Sequence, residues 1–360
     1  MPPVGIDRLV PASDHDAVPR RLLLIADALG GGLGGAVAAH GRWFGERGWD
    51  VVVAAPATPG WPDALAGSAA FEPVAIPGTG RRVDAMRDAA RSVRKLAGAT
   101  RPDVVHAHGM RALAVGRLAG LRPYVTLHGS GRATDDPVAY DVVRRLVRRA
   151  VPLLARGAYS ATPQFGGGWR FLPHASPRLA QLHALPAPDG SGPTLVAWIA
   201  RLDADKRPEL FVRAIASAAR RVDVRGAIAG SGTAKASLEQ LIAELGAPVD
   251  LLGEVDPGPL LARSSVVAVF GTNEALTFAL QEAMWVGRPV VTTDRAGSRW
   301  LVGDTGELAA DVAGAASAFV RLADRAHAAD LGRRAAERIR RQLTPDAPWP
   351  QLADIYAADT

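Results

Sequence analysis

The sequence predicts an α/β protein built from two doubly wound parallel-sheet domains that face each other across a cleft. Three observations lead there. At 360 residues the chain exceeds what one core ordinarily fills and suits two domains of about 170 residues each. Short apolar runs alternate with amphipathic stretches in two successive series, the pattern of parallel strands covered by helices on both faces. The Pro- and Gly-rich segment 186–193 (PAPDGSGP) separates the two series and reads as a linker.

Residues 1–20 read as a flexible leader without the apolar stretch of a secretory signal. The strand Arg21–Ala26 then runs into Gly30–Gly35 (GGGLGG), followed by a helix over Ala36–Arg47 and the strand Val51–Ala55. Helices over Val83–Leu96, Arg111–Leu118 and Pro137–Arg149 alternate with strands at Val104–His106 and Tyr124–Leu127, completing a first domain of residues 21–185. The second domain, residues 194–344, opens with the strand Leu195–Ile199. Helices Pro208–Arg220, Ala234–Leu245 and Gly258–Arg263 interleave with strands Gly226–Ala229, Val249–Leu252 and Val266–Phe270. A helix carrying Glu274 and Glu282, the strand Val290–Thr293 and two alanine-rich helices to about Leu343 close it. The aromatic tail 345–360, with Trp349 and Tyr356, is expected to pack back toward the first domain.

Composition narrows the class. Hydrophobic content of 48% with 22% charge is that of a folded, globular chain, and no run approaches the roughly 20 apolar residues of a membrane span. Zero cysteines exclude disulfides and thiolate metal sites and suit a cytoplasmic protein. Residues 1–175 hold 22 Lys+Arg against 14 Asp+Glu, or +8; the remainder holds 20 against 22, or −2, which together give the +6 of the whole. A basic first half suits an anionic partner. The stripe Arg144, Arg145, Arg148 and Arg149 reads as a solvated face or as a peripheral contact with anionic lipid at the inner face of a membrane. No aromatics are interleaved with the basic residues, which argues against nucleic acid.

The motifs narrow the chemistry. Gly30, Gly32 and Gly35 satisfy G-x-G-x-x-G after a strand, but the next strand ends in Ala54-Ala55-Pro56 and lacks the acid that would hold a dinucleotide's ribose. NAD and FAD are therefore disfavoured. The loop instead suits backbone N–H groups approaching a phosphate or sugar. Glu274 and Glu282 stand eight residues apart, roughly 80° around a helix, so both carboxylates can face one cleft. The first would mark a helix start suited to a diphosphate, and the second could accept from a pair of ribose hydroxyls. Spacing alone is equally met by two glutamates on a solvated face. His106 and His108 share one strand face and are expected to shape the cleft or the core rather than to ligate a metal. No HExxH and no Gly-x-Ser-x-Gly elbow is present.

Taken jointly these features resemble the retaining glycosyltransferases of family 4, whose GT-B fold sets two Rossmann-like domains face to face. The resemblance runs from about Arg21 to Tyr356. Four local matches carry it: Gly30–Gly35; Pro102-Asp103-Val104-Val105-His106-Ala107-His108 with Thr126-Leu127-His128-Gly129; Ala200-Arg201-Leu202-Asp203-Ala204-Asp205-Lys206; and Glu274-x7-Glu282-Ala-Met-x-x-Gly-x-Pro-Val-Val. It implies transfer of a sugar from a nucleoside diphosphate donor to a hydroxyl acceptor, lipid-linked, sugar or small-molecule, with no cofactor or metal required.

By the same resemblance Arg201 and Lys206 would clamp the diphosphate, and Glu282 would take the ribose. Glu274 and His128 would reach the transferred sugar. The N–H groups of Leu276, Thr277 and Phe278 would lie near the phosphates. Gly34 and Gly35 would close the opposite wall, and Gly230-Ser231-Gly232 with Gly253-Glu254-Val255 would line the base, which places Gly232 and Val255 in the donor site. Departures fall on the donor side: Ala200 replaces the glycine of G-R-L, Ala275-Leu276 the usual Gly-Phe, and Arg299-Trp300 end a segment where Gly-Gly-x-x-Glu is common. A nucleotide-sugar epimerase of similar fold and a non-catalytic nucleotide-sugar binder are the alternatives.

Overall fold

The computed structural model describes residues 20–78, 83–128, 149–163, 166–186, 188, 192–272 and 275–359. Two parallel sheets form its frame. The first holds β1 (Arg21–Ala26), β2 (Asp50–Ala55), β3 (Ala70–Pro73), β4 (Val104–His108), β5 (Tyr124–Leu127), β6 (Ala158–Ser160) and β7 (Arg170–Phe171), in the order β3-β2-β1-β4-β5-β6-β7. The second holds β8 (Thr194–Ile199), β9 (Val224–Ala229), β10 (Val249–Gly253), β11 (Val266–Val269), β12 (Val290–Thr293) and β13 (Glu307–Ala309), in the order β10-β9-β8-β11-β12-β13. The winding reverses between β1 and β4 in one sheet and between β8 and β11 in the other. Ligands of such sheets bind outside the carboxyl ends of the strands at that reversal. The loops after β1 and β8 therefore start at the favoured positions.

Central strands read as unbroken apolar runs because helices cover both faces: β1 is RLLLIA and β11 is VVAV, buried along almost their whole length. Alternation still sorts side chains by face. On β4 and β5, Ala107, Val125 and Leu127 join the core under helices Val83–Thr100 and Met110–Leu118. His106, His108, Tyr124 and Thr126 point the other way, toward helix Gly31–Gly45 and the C-terminal helix Trp349–Ala358. That last helix follows the second domain in sequence but contributes Trp349, Leu352 and Tyr356 to the core of Leu22, Leu24 and Phe44. The chain thus passes between the domains twice, and the two passages are joined by the Ala175 N–H donating to the Ala347 carbonyl at 3.0 Å.

Arginine has a structural use here. Arg94 donates to the Leu118 and Ala119 carbonyls, Arg288 to Leu261 and Ala262, Arg338 to Trp300 and Leu301, and Arg340 to Trp285. Each closes the C-terminal end of a helix, where carbonyls are left without intrahelical partners and the dipole favours a cation.

Two expected elements begin elsewhere. The helix expected from Glu274 starts at Phe278, so the wheel relation between Glu274 and Glu282 does not apply. Ahead of it, the Thr272 N–H and hydroxyl donate to the Asp205 carbonyl at 2.8 and 3.2 Å, tying the chain after β11 to the loop that follows β8. The first helix begins at Gly31 rather than Ala36, so Gly34 and Gly35 are helical residues, not loop. The short strands β3, β6, β7 and β13, and helix Ala296–Val302, were not anticipated. Strands of two to four residues leave too brief a period-2 signal to read. The expected helix Pro137–Arg149 lies outside the described residues apart from Arg149.

Candidate functional site

The carboxyl edge of the second sheet is stitched from four loops. After β8 the chain runs through Ala200–Lys206, and the turn after β9 lies directly beneath it. A Cβ on Gly230 would sit 2.0 Å from the Ala200 carbonyl oxygen, and one on Gly232 would sit 2.6 Å from that of Leu202. Only a residue without a side chain lets the two backbones close in. Leu202 then donates to the Ser231 carbonyl at 2.8 Å, and the Ala234 N–H donates back to Leu202 at 2.8 Å. Gly232 is thus the bed of the Arg201 loop. Through Asp205 and Thr272 the same loop is tied to the chain leading into helix Phe278–Trp285.

This places Arg201, Lys206, Leu276, Thr277 and Phe278 on one edge. The Arg201 guanidinium pairs with Asp203 and lies 3.9 Å from Asp205; its side chain is 58% exposed. The Lys206 ammonium stands 4.0 Å from Asp205 and is more enclosed, at 19%. Exposed pairs of this kind contribute little net stability, so an anion can take over the cations from Asp203 and Asp205. Leu276 is buried, and Thr277 is the N-cap of the helix without a side-chain cap hydrogen bond to it. Val255 lies exposed after β10, beside Asp256. Glu274 is outside the described residues.

Across the cleft, helix Gly31–Gly45 presents its first turn. A Cβ on Gly32 would come 3.7 Å from the Phe278 ring, and one on Gly35 would come 3.7 Å from Pro177 and 3.9 Å from Phe278. Gly34 faces inward, where a Cβ would lie 2.1 Å from the Leu29 carbonyl oxygen. The glycine turn of the first domain and the helix start of the second therefore meet face to face.

Glu282 is placed differently from the other donor-side residues. It is 5% exposed, accepts from the Ser176 hydroxyl at 2.6 Å and lies 3.8 Å from the Arg178 guanidinium. Burial holds its carboxyl above the usual carboxylate range, and the Ser176 bond and the Arg178 charge offset that only in part. Its neighbour Gln281 is fully buried and fully used: its Oε1 accepts from the Ser176 N–H at 2.7 Å, and its Nε2 donates to the His174 and Leu276 carbonyls. Helix Phe278–Trp285 thus holds the passage between the domains with Gln281 and Glu282 together. Arg178 reaches on to Asp256 at 3.1 Å, joining that passage to the loop of Val255.

On the first-domain side His128 follows β5 and bonds His108 at 2.8 Å. His108 bonds His40 at 3.0 Å, and His174 packs edge-on against His128 with ring centroids 4.6 Å apart. Burial pushes the pKa of each of these imidazoles down, with neighbouring histidines adding to the effect for His40, His108 and His128; His174 falls to about 4. Among the described residues no group of three or more His, Asp or Glu has the geometry to hold a metal ion. Nor is any described helix long and apolar enough to cross a membrane. Sequence reasoning missed Ser176, Arg178, Gln281, His40, His174 and Tyr356. The spacing-two pairs His106/His108 and Thr126/His128 carried the available signal of a polar strand face.

Comparison with known proteins agrees with this layout. Residues 30–164 match the family model described as Glycosyltransferase Family 4, and residues 193–325 match that described as Glycosyl transferases group 1. No curated protein matches the sequence significantly. Among solved structures, HepE of Anabaena, in complex with UDP and glucose, superposes with a TM-score of 0.77 at 18% identity, covering 94% of this chain and 100% of that one. The sucrose-phosphate synthase of Thermosynechococcus elongatus gives 0.76 at 17% identity over 94% and 98%. A glycosyltransferase of Rickettsia africae gives 0.70 at 11% identity over 94% and 98%. Matched in both halves by glycosyltransferase models and wound as two Rossmann-like sheets about one cleft, the chain is a glycosyltransferase of the GT-B fold.

Proposed function

We propose that the protein transfers a sugar from a nucleoside diphosphate donor to a hydroxyl acceptor and retains the anomeric configuration. The observation that carries this reading is the grouping of Arg201, Lys206 and the Thr277–Phe278 helix start on one strand edge, facing the glycine turn across the cleft. A guanidinium, an ammonium and a helix N-terminus suit a diphosphate, and a wall without side chains admits one closely. Complexes of HepE with UDP and glucose and with UDP-glucose make UDP the first nucleotide to try.

In this mechanism the bond from the anomeric carbon to the diphosphate oxygen breaks, and the acceptor oxygen bonds that carbon on the same face. The acceptor's proton passes to the departing diphosphate. Arg201 and Lys206 stabilise the negative charge that builds on the leaving group. Glu282, held by Ser176, accepts from the ribose hydroxyls, while Glu274 and His128 hold hydroxyls of the transferred sugar. A peripheral contact of the basic first domain with an anionic membrane would serve a lipid-linked acceptor.

The test is thermal stabilisation of the full chain by UDP, GDP, ADP, TDP and NAD, beside a Glu282→Ala variant. A ligand that binds only the folded protein adds about 2.7 kcal/mol at a hundredfold excess over its dissociation constant. The expected result is a shift with one nucleoside diphosphate, weakened by the substitution. Stabilisation by NAD alone would overturn the reading.

A further inference from the structure

The first sheet holds a buried polar chain that no donor contact requires. Thr126 Oγ1 lies 2.8 Å from His106 Nε2, and His106 Nδ1 lies 2.6 Å from the Tyr356 hydroxyl. That hydroxyl lies 3.4 Å from His40 Nε2; His40 Nδ1 is 3.0 Å from His108 Nε2, and His108 Nδ1 is 2.8 Å from His128 Nε2. His106, His108, Thr126, His40 and Tyr356 are completely buried, and His128, which follows β5 at the carboxyl edge of the sheet, is the half-buried end.

Each of His40, His106 and His108 uses both ring nitrogens within the chain. Desolvation keeps these imidazoles neutral, and a neutral imidazole has one donor and one acceptor nitrogen. The direction of one bond therefore sets the direction of the next. The closest contact is that of the phenol with His106 Nδ1, and a phenol is the strongest donor in the chain, so its proton points there. His106 Nε2–H then donates to Thr126. The phenol oxygen accepts from His40 Nε2–H, His40 Nδ1 from His108 Nε2–H, and His108 Nδ1 from His128 Nε2–H.

We infer that Tyr356, His40 and His108 are positioning residues that fix His128 as its Nε2–H tautomer, leaving Nδ1 as the acceptor this ring offers a hydroxyl of the transferred sugar. The inference rests on the transferase reading for its use, not for its geometry. It also gives the C-terminal helix a role at the relay, because Tyr356 links His106 to His40 from 250 and 316 residues away in sequence.

Nitrogen-15 histidine labelling of the full chain reads the tautomer directly, with the His128 signals identified by their loss in His128→Gln. The expected spectrum has His128 protonated at Nε2 and bare at Nδ1. In Tyr356→Phe the ring should become a mixture of tautomers. Turnover should then fall about two- to tenfold, the worth of one hydrogen bond, with the donor KM unchanged. A wild-type His128 protonated at Nδ1 would overturn the inference, as would an unaltered tautomer in a folded Tyr356→Phe. If that variant does not fold, the wild-type spectrum decides alone. The spectrum needs no donor: the expected tautomer without any nucleotide response would sink the transferase reading only. The wrong tautomer in a protein that transfers sugar would sink the relay only.

Discussion

Behind the carboxyl edge of the first sheet stand His40, His106, His108, His128 and His174, joined to one another and to Tyr356 by hydrogen bonds and ring contacts. At the carboxyl edge of the second stand Arg201, Asp203, Asp205 and Lys206, paired with one another and partly open to solvent, with Glu282 set deeper. The two sheets share a winding order, so the fold does not explain the contrast. Desolvation does. A charge removed from water is tolerated only when it is paired, whereas neutral imidazoles can be buried wherever their nitrogens find partners. At this edge the second domain keeps Arg201 and Lys206 where an anionic ligand can reach them. The first builds a wall of neutral imidazoles joined through their ring nitrogens.

The largest effect expected from this difference is on stability in acid. His174 titrates near 4 in the folded chain, against about 6.5 when unfolded. Between those values the unfolded chain binds a proton that the folded chain does not. Stability is therefore complete above about pH 6.5 and falls as pH drops toward 4. At about 1.4 kcal/mol per unit, His174 alone removes about 3 kcal/mol over that window. His40, His106, His108 and His128 are lowered as well and act in the same direction. Hydrogen exchange at pH 7.5 and pH 5 should show protection lost around β4 and β5 while β8 and β11 keep theirs. Equal loss in both sheets would erase the contrast.

The charged edge is tested by Lys206→Ala. Its ammonium is the more enclosed cation of the pair, and removing one group that stabilises developing charge should lower turnover at least about tenfold. Because Lys206 belongs to none of the hydrophobic cores, the melting temperature without ligand should barely move. Unchanged transfer kinetics would remove its assigned role and leave Arg201 alone on the diphosphate.

What could be read from the sequence divides by distance along the chain. The unbroken apolar runs of β1, β2, β8 and β11 announce buried parallel strands, and the loop after β8 is recognisable where it stands, whereas the glycine run after β1 is helical from Gly31. The sequence points to an earlier start for helix Phe278–Trp285 because Ala275–Leu280 is apolar enough to coil. The tie that precedes it, Thr272 to the Asp205 carbonyl, spans 67 residues and leaves no local signal. Glu282 was legible as a candidate, but its partner Ser176 lies 106 residues away, and its enclosure at the passage between domains was not. The polar face of β4 showed in His106 and His108. Its continuation did not, since His106 meets Tyr356 across 250 residues.

The smallest expected effect separates two tyrosines on that same face. Tyr124 packs at a tilt against Tyr356, with ring centroids 5.1 Å apart, yet its hydroxyl points out of the relay and donates to Asp359, which also pairs with Arg156. That contact fastens the end of the C-terminal helix to β5. It sits partly in solvent, so Tyr124→Phe should lower stability by about 1 kcal/mol or less. Burial together with the Asp359 bond raises the Tyr124 phenol, which stays protonated and can only donate there. Losing this bond loosens the tail without touching any donor or acceptor between Thr126 and His128. Tyr124→Phe should therefore leave the His128 tautomer and the turnover unchanged, where Tyr356→Phe alters both. If the two substitutions behave alike, the histidine wall responds to helix docking as a whole and not to the direction of its hydrogen bonds.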